Sequence, residues 1–459
     1  SPTSLAQVTN EPRLTSDGDS AGVAVSDPPR IPLPEGTIPV AIGLVISGVA
    51  SYAFFKVGQQ ALGKEDFKPI VALWFTTFAL VPGFFMPVEQ EVGRALAHRR
   101  ALNQGGRPVV QKVLPLMLGM LALLMIVVVA ASGWITNDLF EGYGLVTLAL
   151  VFAFMSYAPF HLARGICSGS GRFPPYGLLM GLDGITRTAG CIVLWLAGVD
   201  AVGAYALVVV LAPLVGIVVV LSMGSLRTDD GPPAEFSEIT PNLGWLLGGS
   251  ILAAALVNAG PLGIDILASA DEAAKVTAFG NGVLLSRVPL FLFQAVQAAL
   301  LPRLARLAAK GDLGEFRTGF RHLMVVVVGV AVIGTVGSFL VGPPVLEYVY
   351  DGGLDRRTLT LLALASGLYM IALATSQAVI ALQGHSFVTY GWAAGMATFL
   401  LVTAYSSDDL YLRVELGLVT ASTAALIVFA LGLRQRVAAG ATPDAESMID
   451  GILDNPLEA

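Results

Sequence analysis

Two arginines deep inside apolar segments are the residues of this chain best placed to do chemistry. Arg187 lies near the middle of an apolar segment at 175–197, and Arg287 lies near the middle of another at 276–299. A charge within hydrocarbon costs about 2.5 kcal/mol or more, so each arginine should face protein, water or a ligand. A guanidinium offers a planar fork of donors that stays charged, which suits phosphate. The two arginines therefore predict a site for an anion, and phosphate in particular.

Acidic and amide side chains share helical faces with these arginines or lie on a third segment at 244–268. Asp183 precedes Arg187 by four residues, so it can pair with Arg187 inside one helix, contact a ligand, or do both. Arg287 has no acid three or four residues away, which favours a ligand contact. The remaining candidates for a polar cavity are Asn258, Asp265, Gln294 and Gln297. Polar faces of this kind turn toward protein or toward a water-filled cavity.

The sequence contains no recognisable signature of an enzyme, a metal site or a cofactor site. The four histidines lack the spacing of metal ligands. There is no P-loop, and the single Gly-x-Ser-x-Gly match, at 18–22, lies in a polar tail. His161 and Glu89 fall near the ends of apolar segments and are predicted to lie at the membrane interface. The expectation is a protein without enzymatic activity, cofactor or metal.

Composition places these residues in a membrane protein. Hydrophobic residues make up 55% of the chain and charged residues only 13%, whereas soluble domains carry roughly 25% charged residues. Repeated apolar runs are long enough to cross a hydrocarbon core of about 30 Å. These features exclude a soluble enzyme, a nucleic-acid binder and a disulfide-stapled secreted domain. The runs are continuous rather than alternating, which also excludes a transmembrane β-barrel.

Twelve apolar spans, each about 20 residues long, predict an all-α polytopic membrane protein. A polar tail at 1–36, expected to be disordered, precedes the spans, and an acidic tail at 434–459 follows them. The spans lie near 38–58, 69–88, 112–132, 143–163, 175–197, 201–223, 244–268, 276–299, 320–341, 359–382, 387–405 and 410–433.

The distribution of lysine and arginine between the spans predicts the orientation. With a cytoplasmic N-terminus, the inner segments hold 17 of these residues and the outer segments hold 7. The positive-inside rule therefore places both termini in the cytoplasm and requires an even number of spans. Arginine outnumbers lysine by 20 to 6, a bias that favours a bacterial protein and hence the bacterial plasma membrane.

A polar linker at 225–242 divides the spans into two sets of six, at 37–224 and 243–433. The two sets share a short sequence similarity. Val-Pro occurs at 81–82 and again at 288–289, and each time it is followed by phenylalanines and then by a basic loop. An even number of spans in each set predicts a parallel repeat, with the substrate site at the interface between the repeats.

Two stretches resemble a known family. Residues 290–322, LFLFQAVQAALLPRLARLAAKGDLGEFRTGFRH, resemble the segment after the eighth helix in flippases of the multidrug/oligosaccharidyl-lipid/polysaccharide (MOP) superfamily. There, an apolar helix ends in a Pro-Arg-Leu-like turn, here 302–304, followed by an Ala-rich helix and Gly-Asp, here 311–312. Residues 51–67 resemble the family's long first helix, Leu-Gly and acidic-aromatic turn. The resemblance covers 38–433 in layout and these two stretches in motif.

The resemblance implies a V-shaped pair of six-helix lobes, as in MATE transporters and lipid flippases, with one central cavity and alternating access. Polysaccharide-type members move polyprenyl-phosphate- or pyrophosphate-linked sugars from the inner to the outer leaflet for cell-envelope polysaccharide assembly. Arg187 and Arg287 would then receive the phosphate, and the other polar candidates would face sugar hydroxyls or water. Twelve spans rather than fourteen, and a first span carrying only Lys56, favour this type over peptidoglycan-precursor flippases and drug antiporters.

The sequence leaves three other functions to distinguish from this one. A drug or cation antiporter of the same fold would carry an isolated acid in an aromatic-rich cavity, whereas the mid-depth charges here are arginines. A non-transporting scaffold of a glycan-assembly complex would tolerate loss of both arginines. A membrane glycosyltransferase is disfavoured because no loop exceeds about 20 residues. The expected partners are a lipid-linked saccharide, membrane lipid and glycan-assembly enzymes, with no nucleic acid.

Overall fold

The computed structural model describes residues 37–236, 243–290, 293 and 313–439. Within these ranges the chain is helical and contains no strand, which confirms the predicted all-α fold class. The helices of 14 residues or more are α1 (Thr37–Asp66), α2 (Lys68–Ala101), α3 (Arg107–Ala130), α4 (Gly144–Gly169), α5 (Phe173–Leu196), α6 (Val202–Ser222), α7 (Leu243–Leu267), α8 (Ala273–Ser286), α9 (Leu313–Tyr350), α10 (Arg356–Ala381), α11 (His385–Tyr405) and α12 (Leu410–Ala438).

Each of these helices coincides with one of the predicted spans. Eleven of them are long and apolar enough to cross a membrane. The exception is α8, whose 14 residues are the described start of the eighth span. Helices α1, α2 and α9 run beyond the apolar segments that predicted them, because charged helical turns continue each one past the hydrocarbon. The chain is a multi-pass membrane protein.

Successive helices alternate in direction, so the bundle has two sides. One side holds the start of α1, the end of α12 and the described part of the polar linker, 225–236, and it is termed the linker side. The linker is bound there by basic side chains: Arg99 donates to the Pro232 carbonyl over 2.8 Å, and Lys112 donates to the Ala234 carbonyl over 2.7 Å. The other side is termed the opposite side.

Helix pairing repeats along the chain with an offset of six helices. In the N-half, α1 to α6, the pairs α1 with α5, α4 with α6 and α5 with α6 are in contact. In the C-half, α7 to α12, the corresponding pairs α7 with α11, α10 with α12 and α11 with α12 are in contact. This recurrence is the contact pattern expected of a parallel repeat. Between the halves, the most extensive packing is that of α2 against α7.

A cluster of residues joins the halves on the opposite side, close to a break in α1. Gly63 has φ 83° and ψ 165°, a backbone conformation that glycine adopts without steric cost and that interrupts α1 near its end. One turn earlier, Gln59 of α1 and Asn281 of α8 exchange two buried side-chain hydrogen bonds, of 2.6 and 2.9 Å. Lys56 pairs with Asp351 beyond the end of α9 over 3.3 Å. The described part of the eighth span is therefore held against the first.

Large apolar side chains remain exposed on the outside of the bundle. Leu123 and Ile126 of α3, and Val325 and Ile333 of α9, are each more than half exposed. Contiguous apolar surface of this kind is unfavourable in water but is solvated by lipid tails, which are as apolar as leucine. These faces of α3 and α9 are therefore lipid-facing.

Candidate substrate-binding site

Asp183 and Arg187 form a buried ion pair on α5. Arg187 Nη2 lies 3.1 Å from Asp183 Oδ2, as expected for residues four apart on one helix. The Tyr157 hydroxyl donates to the other Asp183 oxygen over 3.4 Å. The guanidinium of Arg187 stacks on Trp74, 4.6 Å from its ring centroid, and only 1% of Arg187 is exposed. The intrahelical pairing considered from the sequence is thus what the structure shows.

This pairing uses only part of the hydrogen-bonding capacity of Arg187. Its Nε and Nη1 atoms are buried and have no hydrogen-bond partner among the described residues. A buried donor left unsatisfied costs about 1–3 kcal/mol. The two nitrogens would therefore gain from a polar ligand or an ordered water. Arg187 can pair with Asp183 and contact a ligand at the same time.

Arg287 lies immediately after α8, and its partners come from α7 and α2. It donates to the Asn258 side-chain oxygen over 3.1 Å and to the Val257 carbonyl. Its guanidinium stacks on Phe75 of α2, 5.2 Å from the ring centroid. Among the residues with described side chains, no acid lies within ion-pair distance of Arg287. Arg287 therefore contacts amide, carbonyl and aromatic groups instead of an acid.

The donors of Asn258 and Arg287 go to carbonyls that prolines have left without a helical partner. Pro82 has no N–H, so the Phe78 carbonyl four residues earlier loses its usual donor; Asn258 supplies one over 2.9 Å. Pro261 likewise frees the Val257 carbonyl, which Arg287 contacts. Within a membrane, freed backbone groups must be satisfied by neighbouring protein. Both predicted cavity residues thus have a structural role.

Of two cavities between the described helices, neither is lined by both arginines. Arg287 lines a cavity of about 30 Å³ together with Tyr369 and Ser422 of the C-half, a volume that holds an ordered water rather than a saccharide. Arg187 is not among the residues around it. A wider cleft of about 490 Å³, at the linker-side end of the C-half, contains Arg317 and none of the predicted site residues. The single central cavity stays an expectation for another conformation.

Asp265 lies apart from both arginines, near the opposite side. Its carboxylate is 3.4 Å from Nζ of Lys68, which is also 2.8 Å from Glu141. Because Lys68 begins α2 and Asp265 lies two residues before the end of α7, this ion pair joins the two halves. Gln294 and Gln297, the remaining predicted candidates, lie outside the described residues.

The sequence analysis placed Glu89 and His161 at the membrane interface but did not predict that they form a second buried polar cluster. Glu89 accepts a 3.0 Å hydrogen bond from the Tyr176 hydroxyl and lies 2.7 Å from His161 Nδ1. Arg164 lies 3.1 Å from the same carboxylate and 2.6 Å from the Tyr176 oxygen. Glu89 is 7% exposed and His161 is 3% exposed. These four residues are termed the Glu89 cluster.

The close approach of α4 to α2 at this point depends on a glycine. A Cβ atom at Gly165 would lie 2.8 Å from the Glu89 carbonyl oxygen, so only glycine fits without displacing α2. One sequence signal for the cluster existed, because His161 and Arg164 are three residues apart and share a helical face near the end of an apolar span. Their partner, Glu89, is 72 residues from His161, a distance that no local spacing rule covers.

Comparison with solved structures identifies the fold. A multidrug resistance MATE family transporter of the MOP superfamily in an outward-facing conformation is similar, with a TM-score of 0.68, 16% identity, and coverage of 88% of this chain and 95% of that one. A mutant of the Vibrio cholerae MATE transporter VcmN is similar with a TM-score of 0.65 and 17% identity, over 87% of this chain and 96% of that one. An inward-facing MATE family transporter of the same superfamily is similar with a TM-score of 0.62 and 17% identity, over 89% of this chain and 96% of that one.

No family model and no curated protein sequence matches the chain. At identities of 15 to 17% the structural likeness speaks to the arrangement of helices. The similarity covers 87 to 89% of this chain, which is more than either half alone. The chain has the fold of the MATE transporters.

Proposed function

We propose that the protein is a transporter of the MOP superfamily, not an enzyme, and that it moves a polyprenyl-phosphate- or pyrophosphate-linked saccharide from the inner to the outer leaflet. The fold and the resemblance of 290–322 to flippases of that superfamily support the general class. The choice of substrate is supported by the chemistry of the residues buried between the helices.

The observation that carries the proposal is Arg187. It combines a permanent charge, 1% exposure and two guanidinium nitrogens without a partner in the described structure. A phosphate oxygen accepts strong, charge-assisted hydrogen bonds from guanidinium N–H groups. Asp183 would continue to hold Arg187 through Nη2. The Nε and Nη1 groups lie on opposite edges of the guanidinium, so the phosphate would accept from one of them and the other would donate to a sugar hydroxyl or to water. The polyprenyl tail would stay in lipid, since it is apolar and hydrocarbon solvates it.

Arg287 would contact the substrate only after the two halves have moved relative to each other. In the described conformation it satisfies the Val257 carbonyl and Asn258 in the C-half and stacks on Phe75 in the N-half. Rocking of one half against the other would break the contact with Phe75 and leave Arg287 directed toward the space between the halves. The two arginines would then face a common cavity, which would have a positive potential.

A second candidate is a drug or cation antiporter of the same fold, and the surroundings of Asp183 favour it. The carboxylate lies beside Tyr157, whose ring is 6.0 Å from Phe78, and Phe78 is 4.8 Å from Trp74. Aromatic faces and a buried acid together bind organic cations. The ion pair of Asp183 with Arg187 argues against this function, because it leaves no net negative charge at the site.

Transport by purified protein in proteoliposomes separates the two candidates. A polyprenyl-pyrophosphate saccharide and a fluorescent organic cation are assayed in parallel, with wild type, Arg187→Gln and the control Arg413→Gln, whose arginine caps carbonyls at the opposite side. The proposal predicts saccharide movement that Arg187→Gln abolishes and Arg413→Gln preserves. Cation movement without saccharide movement would establish the antiporter instead.

The proposed setting is the bacterial plasma membrane with the linker side in the cytoplasm. The linker side carries the larger share of the lysines and arginines, which favours the cytoplasm. These basic residues include the three that bind the linker, Arg99, Lys112 and Arg172. In this orientation a lipid-linked saccharide made in the cytoplasm would enter from the linker side and leave from the opposite side.

A further inference from the structure

The Glu89 cluster contains an unusual combination of charges for the interior of a membrane protein. Arg164 carries a permanent positive charge, which the negative charge of Glu89 balances. His161 lies beside Glu89, and histidine is the side chain whose ordinary pKa is near neutral pH. With His161 neutral, the cluster has no net charge. Addition of one proton, to either His161 or Glu89, gives the cluster a charge of +1.

The cluster lies near the linker-side boundary of the hydrocarbon core. Glu89 is 21 residues along α2 from Lys68, or about 32 Å at 1.5 Å per residue. Since the hydrocarbon core is about 30 Å thick, Glu89 lies near its linker-side boundary. Arg164 and Tyr176 are at the linker-side ends of α4 and α5, at the same depth.

Other charged groups lie on the helices packed around Glu89. On α2 itself, Glu91 pairs with Arg94 over 2.6 Å. On α3, Arg107 pairs with Asp230 and Lys112 donates to the Ala234 carbonyl.

On α5, Asp183 pairs with Arg187, two turns beyond Tyr176, and also acts electrostatically on Arg164. The one charged residue of α7, Asp265, is at the opposite end of the bundle, and α6 has no charged residue. The groups in direct contact with the Glu89 carboxylate are therefore His161, Arg164 and Tyr176.

We propose that Glu89 and His161 together bind one proton, with Arg164 and Tyr176 fixing the carboxylate, and that occupancy of this site is coupled to opening of the linker side. The pair titrates as a unit, because the bound proton is shared across a 2.7 Å contact. The inference rests on the proposed transport function but not on the identity of the substrate. It assigns the proton as the coupling ion of that transport.

The coupling follows from packing. A buried cluster with a net charge is costly unless water reaches it. The proton-free cluster is compatible with the tight approach of α4 to α2 at Gly165, whereas the proton-bound cluster favours separation of these helices and entry of water from the linker side. Because α2 is also the helix that packs most extensively on the C-half, movement of α2 is transmitted to the interface between the halves.

Proton binding can be measured without any substrate. In the full-length protein, with isotope-labelled histidine in lipid nanodiscs, nuclear magnetic resonance of the four histidines is followed between about pH 5 and 8. The His161 signal is assigned by its loss in His161→Asn, which keeps a donor at the position of Nδ1. We expect the His161 signal to titrate in wild type and the midpoint to move in Glu89→Gln. Glu91→Gln is the matched control on the same helix and should leave the midpoint unchanged.

Coupling is measured between spin labels placed at the exposed residues Gln104 and Gln435, which lie on the linker side in the N-half and the C-half. We expect the label-to-label distance to increase on acidification in wild type and in Glu91→Gln. The increase should be lost in both Glu89→Gln and His161→Asn, and either variant suffices if the other fails to fold.

Three outcomes would overturn the inference. They are a His161 signal that does not titrate, a titration without any change in distance, and a pH-dependent distance that persists in both cluster variants. The proposed function fails in a different way. If saccharide transport is absent while both measurements give the expected result, the coupling site stands and the substrate is wrong.

Discussion

Arg187 and Arg287 stack on the rings of consecutive residues of α2, although they belong to different halves of the chain. Trp74 and Phe75 project in directions about 100° apart, as neighbours on an α-helix do. Arg187 is held by its own half through Asp183, whereas Arg287 is held by the C-half through Asn258. In the proposed transport cycle, movement of the halves would therefore separate Arg287 from α2 and leave Arg187 in place.

The first prediction concerns the proline-freed carbonyls. Asn258→Ala should lower the free energy of unfolding by about 1–3 kcal/mol, because the Phe78 carbonyl loses its donor within the membrane. In a Pro82→Ala background the introduced alanine supplies a backbone N–H to the same carbonyl, so the cost of Asn258→Ala should fall by roughly 1 kcal/mol. Thermal unfolding in detergent micelles of the four proteins of this cycle gives the coupling.

Pro87→Ala is the matched control for this cycle, since Pro87 lies on the same helix but frees the carbonyl of Gly83 rather than that of Phe78. It should not reduce the cost of Asn258→Ala. Equal rescue by both proline substitutions, or strict additivity in the Pro82 cycle, would show that Asn258 does not act through the freed carbonyl.

The second prediction separates structure from transport at the α5 ion pair. Arg187→Met should cost about 3–5 kcal/mol of stability, because Asp183 is left buried without its partner. The double variant Arg187→Met/Asp183→Asn removes both charges and should regain most of that stability. Saccharide transport should be lost in both. A double variant that transports normally would show that Arg187 serves only to balance Asp183.

The third prediction tests the approach of α4 to α2. Gly165→Ala places a methyl group 2.8 Å from the Glu89 carbonyl oxygen, and overpacking of this kind should cost about 1–3 kcal/mol. Gly119→Ala on α3 is the matched control, because no atom lies within 4 Å of the added Cβ; it should be neutral or stabilising by up to about 1 kcal/mol. Similar unfolding temperatures for the two variants would contradict the packing described here.

The fourth prediction concerns orientation. Cysteines replacing the exposed residues Glu65 and Asp408 should react with a membrane-impermeant thiol reagent from outside the cell, and those replacing Gln104 and Gln435 should react only after the membrane is opened. Both native cysteines, Cys167 and Cys191, are buried, and are replaced by serine in the background. Labelling of Gln104→Cys in intact cells would reverse the proposed orientation.

The helices could be predicted from sequence because each is a continuous apolar run whose length is set by the bilayer. The site could be predicted only where partners are neighbours on one helix, as Asp183 and Arg187 are. Pro82 and Pro261 reveal from the sequence which carbonyls are freed, but the donors that reach those carbonyls come from other helices. Asp265 was placed among the sugar-facing candidates because nothing local indicated Lys68, which begins a helix 197 positions earlier.

The amide pair between Gln59 and Asn281 bears on how the protein responds to the electrical potential across the membrane. The potential acts on a moving charge with about 2.3 kcal/mol per elementary charge per 100 mV. Two amides that exchange hydrogen bonds carry no net charge, so their separation is not driven or opposed directly by that field. Voltage sensitivity of the transport cycle would then arise elsewhere, in steps that displace a phosphate or a proton along the membrane normal.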